Sequence, residues 1–149
     1  MKRLLPLLVL AACSRGAAPP AAVEVADAVC RPALAGRDAT SCSAALTASR
    51  DDRLVSLASP NARDIQAHEM STEGGMMRMR EMTEGLRLPA GQSVRLAPGG
   101  DHLMVIGATV PLTDGGVLPV TLTFENAPPQ KVMFRIARPA DIEGGSGQP

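Results

Sequence analysis

Histidine and methionine are concentrated in one segment of this chain. Both His and six of the eight Met fall between positions 68 and 104. On a β-strand, residues i and i+2 point to the same face. His102 and Met104 would therefore lie side by side, as would His68 and Met70, and each pair would hold an imidazole nitrogen and a thioether sulfur at chelating distance.

This donor set matches copper(I), a soft ion that thioether sulfur and imidazole nitrogen satisfy without a thiolate. Met binds without losing a proton, so only the His ligands need to be neutral. Met77 and Met79 form another i, i+2 pair. Taken singly, each Met could instead fill gaps in the core and each His could be a hydrogen-bonded surface residue. The constellation as a whole favours the metal.

The segments that must position these residues are predicted to be β-strands. Gly and Pro interrupt the chain about every ten residues, and apolar residues alternate with polar ones in between. The clearest pattern predicts a hairpin of strands 118–124 and 132–136 with a turn at 126–129. Further strands are predicted at 23–25, 54–57, 86–88, 94–96 and 102–110. Seven or so such strands indicate an all-β, Greek-key two-sheet sandwich.

One segment is ambiguous. Residues 38–50 could form a short helix instead of a strand, since Ala44, Ala45 and Leu46 are helix formers.

The first residues are typical of a bacterial export signal. Lys2 and Arg3 precede an apolar run far shorter than the ~20 residues that span a bilayer. Residues 10–13, Leu-Ala-Ala-Cys, resemble a lipobox, in which the Cys13 thiol receives a diacylglyceryl group and Cys13 becomes the first residue of the mature protein, without residues 1–12. An ordinary signal peptide cut nearby is the alternative. Ser14 after the Cys resembles outer-membrane sorting, so we expect a membrane-anchored protein facing the periplasm.

The rest of the chain is divided into three parts. Residues 13–22 are the lipidated Cys with a flexible tether, 23–140 form one domain, and 141–149 are a disordered tail. The mature chain would carry thirteen basic and fifteen acidic residues. No basic patch is interleaved with aromatics, so nucleic acid is not an expected partner.

Cys30 and Cys42 remain once Cys13 is assigned to lipid. In an oxidising compartment they are expected to form a disulfide, which would contribute roughly 3 kcal/mol. A pair of reduced metal ligands is the alternative, although no His or further Cys lies at zinc-like spacing around either.

Several motifs between about Val23 and Ala137 together resemble the periplasmic copper chaperone family written PCu(A)C. They are His68-Glu69-Met70-Ser71, Gly74-Gly75-Met76-Met77-Arg78-Met79-Arg80, Leu88-Pro89-Ala90-Gly91, Leu96-Ala97-Pro98-Gly99-Gly100-Asp101-His102-Leu103-Met104 and Pro119-Val120-Thr121-Leu122-Thr123-Phe124. The resemblance implies a cupredoxin-like sandwich that passes copper(I) to the dinuclear copper centre of cytochrome c oxidase.

The family's ligand pattern can be placed on this chain residue by residue. A His, a Met after ten residues and a later His-x-Met correspond to the metal ligands His68, Met79, His102 and Met104. Met70 and Met77 are auxiliary candidates.

Two departures from the family stand out. Twenty-two residues separate Met79 from His102, one more than usual, and we place the extra residue in the turn at 81–85. In the first strand Val29 follows Asp27-Ala28 where the family usually has Trp.

These features predict a monomeric, non-enzymatic copper(I) carrier that hands its ion to an acceptor protein. No Ser or Cys lies beside either His in sequence, so no nucleophile with a paired base is evident. Asp51 and Asp52 are interpreted as a solvated turn. An electron-transfer cupredoxin, which needs a Cys thiolate with two His, is one alternative. A metal-free structural β-sandwich lipoprotein is another.

Overall fold

A computed structural model describes residues 18–138, in which all regular structure is β-strand. The ten strands are β1 (Val23–Cys30), β2 (Thr40–Ala48), β3 (Asp52–Ala58), β4 (Ala62–Glu73), β5 (Met76–Glu81), β6 (Leu86–Leu88), β7 (Ser93–Leu96), β8 (His102–Ala108), β9 (Val117–Phe124) and β10 (Gln130–Ile136). The predicted signal, the lipobox with Cys13 and the predicted tail at 141–149 lie outside the described residues. Within them, no helix is long and apolar enough to cross a membrane.

The strands pair in the order β5-β4-β8-β2-β1-β10-β9-β3-β6, and β7 adds to β2. A further pairing of β3 with β4, at Leu57 and Ile65, closes seven of the strands into a barrel-like ring. The predicted all-β class is confirmed. Hydrogen bonds join all the strands of the described chain into one sheet. The Greek-key division into two sheets is therefore not confirmed and stays a prediction.

The predicted C-terminal hairpin is confirmed. β9 and β10 pair antiparallel from Val117 opposite Arg135 to Leu122 opposite Gln130. The alternating apolar side chains of both strands point inward and are buried, namely Leu118, Val120, Leu122, Phe124, Phe134 and Ile136. Burial of one face fixes the register of such a pair, because a slip of one residue would expose every one of these side chains.

The ambiguous segment 38–50 contains strand β2, so the helical alternative is wrong. β2 pairs with β1 on one edge and with β7 and β8 on the other. Ala44, Leu46 and Ala48 are buried. Backbone hydrogen bonds on both edges and burial in the core outweigh the small helix preference of Ala and Leu.

Asp52 corrects the interpretation of Asp51 and Asp52 as a solvated turn. Its side chain is buried, and its carboxylate accepts hydrogen bonds from the backbone N–H groups of Arg53 at 2.7 Å, Asn126 at 2.9 Å and Ala127 at 2.8 Å. Burial raises the pKa of Asp52, but these donors outweigh it and hold the pKa below its usual value. Asp52 thereby ties the β9–β10 turn to the start of β3.

Cys30 and Cys42 lie directly opposite each other on β1 and β2 and are joined by a disulfide. Cys42 also pairs with Leu103 on β8. The disulfide therefore links β1 to β2, the strand beside β8. Two predicted ligands, His102 and Met104, are on β8.

Candidate metal centre

His68 and His102 form a directly opposed cross-strand pair. β4 and β8 run antiparallel, and the two residues are partners in their register. The ring centroids are 5.7 Å apart and the rings meet edge to face at 75°. His68 is 7% exposed and His102 is 8% exposed. Two residues far apart in sequence thus place their imidazoles against each other.

Met104 and Met79 flank this pair on the same face of the sheet. Met104 follows His102 by two residues and lies opposite Gln66, whereas Met79 on β5 lies opposite Met70. Directly opposed Cβ atoms are about 4.5–5.5 Å apart and diagonal ones about 7–8 Å. Both Met residues are therefore diagonal neighbours of His68, and all four predicted ligands share one outer face.

The core determines which face the ligands occupy. On β4, Ile65 and Ala67 are buried, and on β8 Leu103 and Val105 are buried. Because successive side chains alternate across a strand, residues between these positions must point outward. The apolar interior therefore fixes the orientation of the ligand face.

The hydrogen bonds of His68 leave one ring nitrogen free. Asp64 accepts a hydrogen bond from the Gln66 side-chain amide at 2.8 Å, which turns Gln66 Oε1 toward His68 Nε2 at 2.9 Å. Because Oε1 can only accept, His68 Nε2 carries the proton. His68 Nδ1 is buried and has no hydrogen-bond partner. Its lone pair is available to a metal ion.

His102 is oriented by the backbone. Its Nδ1 lies 2.9 Å from the carbonyl oxygen of Gly100, so Nδ1 donates and Nε2 keeps its lone pair. A metal-bound His commonly donates its other N–H to such an oxygen, which fixes the tautomer and the ring orientation. Gln66 and Gly100 were not identified from the sequence. The strand face that Gln66 shares with His68 was a usable signal, whereas Gly100 acts through its backbone carbonyl in the turn before β8.

The electrostatics around His68 favour its neutral form. Burial lowers the pKa of His68, a protonated His102 would lower it further, and the Glu81 carboxylate acts in the opposite direction. Glu81 lies directly opposite His68 on β5. A neutral ring is the form that binds metal.

The remaining Met residues of the segment occupy different environments. Met70 shares the ligand face with His68, and Met77 shares it two residues before Met79. Met76 lies on the opposite face of β5. Met82 packs against the core, and its N–H donates to the Ala67 carbonyl at 2.8 Å.

The turn after Met82 depends on a glycine. Gly85 has a φ of +80°, and a Cβ there would lie 2.4 Å from the Leu54 carbonyl oxygen. Only glycine is compatible with both conditions. β5 pairs with β4 before this turn, and β6 pairs with β3 after it. The turn is also where we place the extra residue relative to the PCu(A)C pattern.

Clusters of harder ligands are absent from the described chain. Among residues 18–138, no three His, Cys, Asp or Glu side chains lie close enough to hold a metal ion. The donors gathered on the outer face are imidazoles and thioethers.

Solved structures define the class of fold. The chain resembles the copper-bound PCuAC domain of PmoF2 with a TM-score of 0.64 and 23% identity over 78% of this chain and 93% of that one. Apo-DR1885 from Deinococcus radiodurans gives a TM-score of 0.59 and 25% identity over 93% and 97%. Its form described as CuI-DR1885 gives 0.62 and 22% over 85% and 84%. The resemblance to PCu(A)C proteins is thus confirmed, and the fold is that of a PCuAC domain.

Sequence comparison gives the particular family. Residues 23–136 match the family described as "Putative lipoprotein LpqE-like", and the chain belongs to that family. A protein of Leifsonia xyli subsp. xyli named "Putative lipoprotein Lxx21020" is 41% identical over 73 residues. That match spans 49% of this chain and 44% of the relative.

Proposed function

We propose that this protein is a copper(I) chaperone that holds its ion with His68, Met79, His102 and Met104 and passes it to an acceptor protein. The His pair supplies two nitrogen donors, and the two Met supply thioethers from neighbouring strands. All four donors are neutral, so binding and release need no redox step and no proton transfer at sulfur.

A single observation carries this proposal. His68 buries a ring nitrogen with no partner beside a second His and two Met on one face. An unsatisfied buried polar atom lowers stability by about 1–3 kcal/mol. A metal ion bound at Nδ1 would satisfy this atom. The copper-bound PCuAC domain of PmoF2 and CuI-DR1885 support copper as that ion.

Electron transfer of the blue-copper type fits less well. That chemistry uses a Cys thiolate with two His. Within the described chain, Cys30 and Cys42 are joined to each other on β1 and β2, so neither offers a thiolate to His68 or His102.

The setting we propose is the periplasmic face of a bacterial membrane, with Cys13 lipidated and the outer membrane as destination. The lipobox-like residues 10–13 and the lipoprotein name of the family support this placement. For the acceptor we propose the dinuclear copper centre of cytochrome c oxidase, on the strength of the PCu(A)C motifs. The ligands lie on an outer face of the sheet, where an acceptor protein could approach the ion and exchange ligands with it.

Anaerobic copper(I) titration of the full mature chain tests the binding. We expect one equivalent to bind tightly, and His102→Ala or Met104→Ala should abolish this tight binding. Met76→Ala is the matched control, since Met76 lies on the opposite face of β5 and should bind as the wild type does. Wild-type protein that takes up no copper(I) would contradict the proposal, as would equal loss in the control.

Lipidation has an independent test. Labelling with a fatty acid analogue in the native host should mark the protein, and Cys13→Ala should abolish the label. A mature protein that starts anywhere other than Cys13 would refute the anchor while leaving the copper site untouched.

A further inference from the structure

The β4–β5 hairpin extends beyond the barrel-like ring. Pairing between β4 and β8 ends at His68 and His102. From Glu69 to Glu73, β4 pairs only with β5, and all six residues of β5 are exposed. We call residues 69–80 the arm.

One face of the arm continues the ligand face and carries three thioethers. Met70 follows His68 by two residues and lies directly opposite Met79. Met77 lies opposite Thr72, two residues before Met79 on the same strand. Met70 and Met79 are therefore a directly opposed pair, and Met77 is a diagonal neighbour of Met70. The Cβ atoms of these neighbours are about 5–8 Å apart. Flexible Met side chains can converge over such a distance.

The other face of the arm is charged. Glu73 forms ion pairs with Arg78 and Arg80, both at 3.4 Å. Met76 lies on this face, directly opposite Glu73. The alternation of the hairpin thus turns Arg78 and Arg80 away from the thioethers.

Packing does not explain two of the three thioethers of the arm, whereas Met70 is half-buried. Met77 is 62% exposed and Met79 is 53% exposed. A Met that fills a gap in the core would be at least half-buried, as Met82 is. Exposed apolar side chains gathered on one face commonly mark a binding site.

We propose that Met70, Met77 and Met79 form a second copper(I) site, made only of thioethers, on the arm. The choice of metal rests on the proposed function. With two ions bound, His68, His102 and Met104 would hold the first, and the three Met of the arm the second. Three soft neutral ligands suffice for copper(I).

Met79 links the two sites. It is directly opposite Met70 and diagonal to His68, so its sulfur can bind an ion at either place. Transfer then consists of one neutral donor replacing another on copper(I), with no change of oxidation state and no proton released. The exposed arm site would bind more weakly than the site with two imidazoles, and it would be the place where copper enters and leaves.

Anaerobic titration with copper(I), followed by NMR of methyl-labelled Met in the full mature chain, tests this second site. We expect two equivalents to bind, the second more weakly. During the second equivalent the methyl signals of Met70 and Met77 should shift, and that of Met76 should not. Met77→Leu should lose the second equivalent and keep the first, whereas Met76→Leu should keep both. Both positions are exposed, so neither change should affect folding, which thermal unfolding would verify.

The outcomes separate this inference from the proposed function. Uptake of a single equivalent with the Met77 signal unmoved would overturn the second site alone, as would a second equivalent that Met77→Leu retains. Failure to bind even the first equivalent would overturn both.

Discussion

Two buried polar side chains, Asp52 on β3 and His68 on β4, differ sharply in how their polar atoms are satisfied. They are 8% and 7% exposed. Both Asp52 oxygens accept hydrogen bonds, from donors that include two residues of the distant β9–β10 turn. His68 has a partner at Nε2 and none at Nδ1.

This difference in hydrogen bonding indicates that Asp52 has a structural role and that His68 has a binding role. A carboxylate whose lone pairs are filled by backbone N–H groups stabilises the folded chain. A ring nitrogen buried without a partner lowers the stability of the metal-free protein, and a bound ion would recover that free energy. The two regions should therefore respond in opposite ways to substitution.

His68→Leu should produce the largest effect. We expect copper(I) affinity to fall by at least about a hundredfold, because loss of groups that only orient a ligand already reduces affinity about 10–100-fold. The metal-free protein should unfold with the same free energy or a slightly higher one, since the unpartnered nitrogen is gone. Competition against a chromogenic copper(I) chelator and urea unfolding measure the two quantities. Unchanged binding with lost stability would make His68 a structural residue like Asp52.

Asp52→Ala should show the reverse. The free energy of unfolding should fall by about 2–3 kcal/mol, because the N–H groups of Asn126 and Ala127 lose a charged acceptor. Copper(I) affinity should stay at the wild-type value. Asp51→Ala is the control, because Asp51 is exposed and accepts one hydrogen bond, from the Ala90 N–H at 2.8 Å, so its loss should matter less. Equal losses in the two variants would show that burial of Asp52 adds nothing.

Gln66→Ala should have an intermediate effect confined to binding. Without Oε1, His68 Nε2 loses the acceptor that fixes its tautomer. We expect affinity for copper(I) to fall about tenfold. Gln66→Glu keeps an acceptor oxygen at that place and should recover most of the affinity. If both substitutions weaken binding equally, Gln66 does not act through His68.

Acidification should have the smallest effect, and comparison with Asp52→Asn isolates the part that Asp52 contributes. Its folded pKa is lowered, so its contribution to stability is complete above the unfolded value of about 3.9 and is lost as pH falls through the folded pKa. The difference in unfolding free energy between wild type and Asp52→Asn should therefore shrink between pH 6 and pH 3. A difference that stays constant over that range would mean that the folded and unfolded pKa values coincide.

Seven of the ten strands could be predicted because they depend on local alternation, whereas β4 and β5, which carry His68 and Met79, are not among the predicted strands. The hairpin of β9 and β10 and the strand His102–Ala108 follow from period-two patterns within the sequence. The same alternation predicted that His102 and Met104 share a face. Whether these residues bind copper stays a prediction.

Features set by distant contacts escaped prediction. Asp52 is buried because its acceptor atoms meet a turn 74 and 75 residues away, and no local pattern carries that information. β2 was ambiguous because Ala and Leu favour a helix locally, while its pairing partners come from three other strands. The opposition of His68 and His102 likewise depends on the register of β4 with β8, which the sequence does not specify by itself.

The alternation of β8 also makes the site open to redesign. Leu103 and Val105 face the interior, whereas His102 and Met104 lie between them on the outside. Replacing Met104 with His would leave the interior packing intact and exchange a soft donor for one that suits zinc and copper(II). An engineer could therefore change the metal selectivity of this scaffold by altering one side of a single strand.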